Sequence, residues 1–324
     1  MPVRTLGYVE KNIMKTEVKQ VYGHIAAAIT ILIWGTTMVS TKVLLNDFKP
    51  IEILLLRFIL GAISLVIVYP CRLKGTTFKQ EGMLFLAGLL GVCMYYMLEN
   101  VALAYSMASN VSVIISASPL FTALLGKLLL KGDESPKSAF YIGFVVAVCG
   151  IILIVFNGKK LELNPLGDIL ALFAAVCWAA YSLVVKKINS FGYNVILTTR
   201  RIFEYGLLCM TPILAFSELN FDMSKLCNSV NMLNLLFLGI CASALCFVTW
   251  NTAIGILGPV KTTTYIYIIP VISVAASAVI LHERITALAA AGMALIIVGL
   301  VLSGKEGTSG AKHKPNKWEK KHEN

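Results

Sequence analysis

Ten apolar runs, each about as long as a membrane-crossing helix, follow one another along the chain with polar or charged segments between them. An α-helix rises 1.5 Å per residue, so roughly 20 apolar residues cross a hydrocarbon core about 30 Å thick. The runs predict spans at residues 22–45, 51–70, 82–104, 108–130, 138–156, 166–186, 194–216, 231–254, 260–281 and 286–303. Several connections are only a few residues long, so consecutive helices must be antiparallel neighbours. Some twenty largely polar residues precede the first run, which is too long for the apolar region of a cleavable signal and reads as the first membrane helix.

Composition narrows the class further. Of 324 residues, 57% are hydrophobic and only 14% charged, against about 25% charged in soluble domains. That is too little charge to cover a soluble surface, and no stretch is left for a soluble catalytic domain. The formal charge of +11 does not form one patch but is spread over the connections and the two ends, so no nucleic-acid partner is expected. If the spans alternate, 19 Lys and Arg residues fall on one side and 6 on the other, with Arg57, Arg200 and Arg201 inside spans. Basic loops stay in the cytoplasm. A multi-pass protein of the plasma membrane with both termini cytoplasmic is the expectation. The eight cysteines lie mostly inside apolar runs without paired ligand spacing, so neither a metal site nor a disulfide framework is read, and no cofactor is called for.

The second half repeats the first. Ile33-Trp34-Gly35 corresponds to Cys177-Trp178-Ala179, and the same offset puts Arg57 on Arg201. Asn100 then meets Asn251, Pro119 meets Pro270, Glu134 meets Glu283, and Gly143 and Gly150 meet Gly292 and Gly299. Five spans per copy is an odd number, so the second copy enters the membrane from the opposite face. The fold expected is all-α: ten transmembrane helices in two inverted five-helix repeats around a central cavity. The boundaries read as an N-terminal cytoplasmic tail at 1–21, repeats at 22–157 and 158–303, and a disordered basic cytoplasmic tail at 304–324. Inverted repeats suit transporters, because each half can adopt the conformation of the other and so exchange the two openings.

These landmarks resemble the drug/metabolite transporter superfamily, and within it the ten-helix EamA-type members. The resemblance rests on Ile33-Trp34-Gly35, Arg57, the stretch from Asn100 to Ala108, Pro119, Glu134 and the Gly143/Gly150 pair, repeated at Trp178, Arg201, Asn251 to Pro259, Pro270, Glu283, Gly292 and Gly299. It covers all but the two tails. It implies a bundle around a central cavity and transport of metabolites by alternating access. Glu134 follows its Pro two residues later than Glu283 does, which departs from the repeat pattern.

Polar side chains inside spans are costly and usually face a cavity or a partner. Trp34, Thr37, Glu99, Asn100, Ser112, Ser116, Trp178, Tyr181, Asn251, Thr263 and Tyr267 are therefore candidates for lining the solute cavity. Ser112, Ser116 and Pro119 share one helical face, and Thr263, Tyr267 and Pro270 repeat that spacing. Pro119, Pro270, Arg57 and Arg201 are candidates for helix breaks or gating. For the arginines, local pairing at the interface stays open, as does interhelical polar bonding for the hydroxyl faces. Glu99 stands beside Asn100 near Tyr95 and Tyr96; it could exchange protons with the solute path or pair locally. Arg200 and Glu204, four residues apart, read as a neutralising pair. The Gly pairs read as close-packing sites, and the chain as a monomer or a homodimer.

The function these features favour is a secondary transporter of small organic metabolites, such as amino acids or related amphipathic compounds, working as an exporter within the lipid bilayer. A membrane-embedded enzyme and a non-transporting scaffold are the alternatives. His282-Glu283 lacks the second His of an H-E-x-x-H site, and no Gly-Lys-Ser/Thr phosphate loop occurs.

Overall fold

The computed structural model describes residues 3–106, 111, 114–129, 138–156, 164–215, 222–280 and 286–304. Among these the regular structure is helical throughout. In chain order the helices are α1 (Val3–Leu44), α2 (Pro50–Val68), α3 (Phe78–Gly88), α4 (Tyr95–Tyr105), α5 (Ser118–Leu129), α6 (Ser138–Phe156), α7 (Pro165–Asn189) and α8 (Val195–Ala215). They continue as α9 (Met223–Leu226), α10 (Ser229–Leu236), α11 (Cys246–Leu257), α12 (Pro259–Thr263), α13 (Ile269–Ile280) and α14 (Ala287–Gly304). Wider π-helical turns at Leu89–Met94 and Phe237–Leu245 join α3 to α4 and α10 to α11, and a tighter 3-10 turn at Thr264–Ile268 joins α12 to α13.

Among the described residues four helical stretches are long and apolar enough to cross a membrane: Pro50–Val68, Phe78–Ala102, Pro165–Asn189 and Ser229–Leu257. Ser118–Leu129, Ser138–Ile154 and Ala287–Ser303 are shorter apolar helices. Their outward faces carry large exposed hydrophobic side chains, among them Ile63, Ile67, Phe173, Leu208 and Ile297. Water would not tolerate such a continuous apolar exterior; lipid requires it. Ser112, Glu134 and Glu283, and the tail after Gly304, lie outside the described residues.

Local chemistry places the helix ends. Thr77 and Gln80 form a reciprocal capping box at the start of α3, the Gln80 side chain accepting from Thr77 N at 2.8 Å. Asn164 caps α7 ahead of Pro165, and Asn228 caps α10. Gly258, at φ +86°, turns the chain between α11 and α12 in a conformation that costs an L-residue about 1–2 kcal/mol. Among the described boundaries the start of α1 departs far from the hydropathy pattern, as does that of α5, which begins at Ser118 after a turn. Helix continues back to Val3 through the segment read as a tail. A helix satisfies its own backbone hydrogen bonds, so it can continue through a polar segment composed largely of residues with good helix propensity.

The two halves share structural marks as well as residues. Each carries a π-helical segment before its Asn100 or Asn251. Each breaks its helix just before the matched proline, at a turn through Ser116 and Ala117 in the first half and at the 3-10 turn in the second. Helices α6 and α14 pack through their glycines: a Cβ at Gly150 would lie 2.5 Å from the Gly292 carbonyl oxygen, and one at Gly143 2.6 Å from that of Gly299. Early residues of one helix thus meet late residues of the other, so these equivalent helices run antiparallel, as inversion demands. The face that the Gly spacing marked for close packing is consumed inside the chain.

Candidate functional site

The centre of the bundle is an aromatic cluster built by α1, α2, α4, α7, α8 and α11. Trp34 on α1 meets Trp178 on α7 edge to face, with ring centroids 5.4 Å apart, and Trp250 on α11 lies 5.1 Å from Trp34. Tyr95 stacks 4.9 Å from Trp178 and the same distance from Tyr96. Phe58, Phe203 and Phe247 close one side with edge-on contacts of 5.0–5.9 Å. Aromatic edges carry positive and faces negative partial charge, so this geometry is attractive beyond simple burial.

Polar groups enter the cluster at few points. The Tyr95 hydroxyl donates to Glu99 Oε1 at 3.2 Å, one helical turn along the same face. Arg57, only 7% exposed, reaches across from α2; its Nε donates to Ser243 Oγ at 2.9 Å and its guanidinium lies 4.9 Å from the Tyr96 ring centre. Such stacking lets a cation sit among apolar groups at reduced cost. Trp34 Nε1 donates to the Ala242 carbonyl at 2.9 Å, within the second π-helical segment. The indole N–H groups of Trp178 and Trp250 are buried without a partner among the described residues. Orphaned donors of this kind are uncommon in folded interiors.

A second polar knot ties α7, α8 and α11 together. Tyr181 donates to Asn251 Oδ1 at 2.7 Å, Asn251 Nδ2 donates to Thr199 Oγ1 at 3.1 Å, and Asn189 Nδ2 donates to the Asn251 carbonyl at 2.7 Å. Asn100, the counterpart of Asn251, makes no side-chain hydrogen bond among the described residues and is only partly buried.

The structure therefore gathers Trp34, Trp178, Glu99 and Arg57 in and around one centre, and binds Tyr181 to Asn251 beside it. Other candidates sit elsewhere. Thr37 donates back to the Trp34 carbonyl at 2.7 Å, and Thr263 to Pro259 and Val260 carbonyls within its own helix. Tyr267 is fully buried against Ala147, Ile151 and Ile296, its hydroxyl unpartnered among the described residues. Ser116 and Pro119 are buried at the break before α5, and Pro270 is the second residue of α13. Arg201 does not mirror Arg57. It pairs with Glu204 at 3.2 Å and lies 3.6 Å from Glu81, while the adjacent Arg200 forms the expected i, i+4 pair with Glu204 at 3.2 Å. Trp250, Phe247 and Ser243 escaped the sequence reading. Their i, i+3 and i, i+4 spacing, running from the second π-helical segment into α11, was available but was indistinguishable from ordinary packing. Among the described residues no cluster of His, Cys, Asp and Glu could hold a metal ion.

A lipid-facing all-helical bundle, made of two copies of one unit with α6 antiparallel to its counterpart α14 and with a polar-aromatic centre, defines a polytopic membrane transporter. Residues 21–156 and 165–304 each match the EamA-like transporter family, and the chain belongs to that family. Trp34 and Trp178 stand at the same distance from the start of their matched stretches. An uncharacterised transporter of Archaeoglobus fulgidus is 27% identical over 86% of this chain and 96% of its own length. An Escherichia coli protein described as a "Probable amino-acid metabolite efflux pump" is 25% identical, covering 86% of this chain and 93% of that one. A Streptantibioticus cattleyicolor protein described as a "Probable terminal-alkyne amino-acid exporter" is 24% identical, with coverages of 86% and 91%. A solved crystal structure superposes with a TM-score of 0.71 over 87% of this chain and 96% of that chain at 18% identity, which shows the fold alone.

Proposed function

We propose that this protein is a secondary carrier that exports small amphipathic metabolites, amino acids and close relatives first among them, by alternating access. The observation that carries the reading is the meeting of Trp34 with its repeat counterpart Trp178 at the bundle centre, beside Glu99. A site at the interface of inverted repeats is the one place that both openings can share. The efflux functions named for the Escherichia coli and Streptantibioticus cattleyicolor relatives supply the solute class and the direction.

In this reading the solute lies against Trp34, Tyr95 and Trp178. Aromatic faces hold its apolar part and can stabilise an ammonium group, Glu99 complements that charge, and the spare indole donors of Trp178 and Trp250 serve acceptors on the solute. The Tyr181–Asn251–Thr199–Asn189 knot closes one end of the pathway, and the unbonded Asn100 marks the end left free to open. Ten spans, both termini in the cytoplasm and a monomeric working unit complete the proposal. The basic-residue asymmetry supports the orientation, and the internal use of the Gly face supports the monomer.

Proteoliposomes loaded with a pool of radiolabelled amino acids test it. Saturable flux, competed by unlabelled solute and lowered in a Trp178→Ala variant that remains folded, is the expected result. Absence of flux from folded protein across amino acids and related amines would refute the solute class.

A further inference from the structure

A cleft of about 330 Å³, away from the aromatic centre, opens between the α2–α3 connection and the first turns of α8, lined by Arg72, Leu73, Lys74, Arg200, Arg201 and Glu204. In the non-helical stretch Leu73 is buried in the central core, while Arg72 and Lys74 on either side of it are exposed and line the cleft. Tyr193 fixes the same stretch by donating to the Gly75 carbonyl at 3.0 Å, and Gly75 turns at φ +74°.

The opposite wall is also basic. Arg200 is buried, and it shares Glu204 with Arg201. Arg201 Nε lies 3.6 Å from Glu81, beyond hydrogen-bond reach, and that N–H is buried and unpartnered among the described residues. Neither Arg72 nor Lys74 has an ion-pair partner among the described residues. Four cations line the cleft against Glu204, with the Glu81 carboxylate 3.6 Å from Arg201 as a second negative charge beside it. Converging guanidinium forks and an ammonium are the donors that match phosphate oxygens. The chain on either side of this basic stretch is apolar and exposed: Ile67 at 75% and Val68 at 68% in the last turn of α2, and Phe78 at 94% at the start of α3.

We propose that this cleft binds the phosphate of an anionic phospholipid from the adjacent leaflet. Free phosphate would answer the charges and leave the flanking apolar side chains bare; a lipid answers both, with its phosphate among Arg72, Lys74 and Arg201 and its acyl chains along Ile67 and Val68 of the preceding turn. Basic pockets at the positively charged face of a membrane protein are where such head groups are held. The inference rests on the chain spanning a bilayer, and it does not depend on what the centre transports.

The test uses the full chain purified in neutral detergent. Its thermal unfolding midpoint is measured with added dioleoylphosphatidylglycerol, dioleoylphosphatidylcholine or millimolar sodium phosphate, and native mass spectra record retained lipid. Phosphatidylglycerol should raise the midpoint by about 5 °C, and phosphatidylcholine and phosphate should not. The Arg72→Gln/Lys74→Gln variant, altered only in an exposed connection, should keep the parent's lipid-free midpoint and lose both the shift and the retained lipid. Lys79→Gln/Lys187→Gln, on the same face outside the cleft, should behave as the parent. No shift in the parent, or an equal shift in the cleft variant, would overturn the site. Phosphate reproducing the shift would overturn the lipid as its occupant.

Discussion

Trp34 and Trp178 occupy equivalent positions in the two repeats and touch at 5.4 Å, yet only Trp34 has a partner for its indole N–H, the Ala242 carbonyl. Two copies of one motif are in contact, one bonded and one not. If the proposed carrier alternates between two conformations, the roles exchange in the other one and Trp178 finds an acceptor on the first π-helical segment. π-helical turns are suited to this, because their wider winding displaces carbonyls from the regular ladder.

The asymmetry predicts unequal effects of equal substitutions. Trp34→Phe removes a made hydrogen bond and should destabilise the resting conformation by about 1 kcal/mol. Trp178→Phe loses similar packing but only an unpartnered donor, so it should cost about 1 kcal/mol less than Trp34→Phe. Thermal unfolding midpoints in detergent decide it; equal losses for both variants would contradict the two-state account.

The Asn251 knot should behave as a closure of one end. Tyr181→Phe leaves Asn251 Oδ1 without its 2.7 Å donor, at a cost of about 1 kcal/mol, or roughly 2–4 °C for a chain of this size. Asn100→Ala, which breaks no described side-chain bond, should leave the midpoint close to the parent's. A larger loss from Asn100→Ala than from Tyr181→Phe would reverse the assignment of the closed end.

Glu99 is the acidic group nearest the aromatic centre, held by Tyr95 at 3.2 Å. If its protonation drives export, Glu99→Gln retains solute exchange down a concentration gradient and loses the response to an imposed pH gradient. Flux in proteoliposomes with and without that gradient separates the two. An unchanged pH response would remove Glu99 from coupling.

The α6–α14 contact predicts a steric defect. A Cβ at Gly150 would lie 2.5 Å from the Gly292 carbonyl oxygen and 2.8 Å from Ile296 N. Both are backbone atoms that cannot swing away, so Gly150→Ala should force the helices apart and cost about 1–3 kcal/mol. Gly82→Ala, where nothing lies within 4 Å of the added Cβ, is the control and should change little.

Much of this protein is determined by its sequence alone. Apolar runs place the helices to within a few residues at most ends, because a lipid-spanning helix needs apolar length and nothing else. The repeat is written in landmarks such as Trp34 and Trp178, Pro119 and Pro270, and the Gly pairs, since the same backbone approach or helix break demands the same residue in both copies. Pairs close in sequence, such as Arg200 with Glu204, follow from helical periodicity.

Tertiary structure decided what each landmark does. Arg57 and Arg201 match in the repeat, yet one is stacked on Tyr96 in the core and the other pairs with Glu81 and Glu204 beside a basic cleft. Tyr267 has the spacing of a cavity residue and packs against α6 and α14 instead. Asn251 and Asn100 are equivalent by position, while only one has Tyr181, Thr199 and Asn189 within reach. Periodicity gives the face a side chain occupies on its own helix. Its partners come from other helices, which only the packed bundle brings within reach.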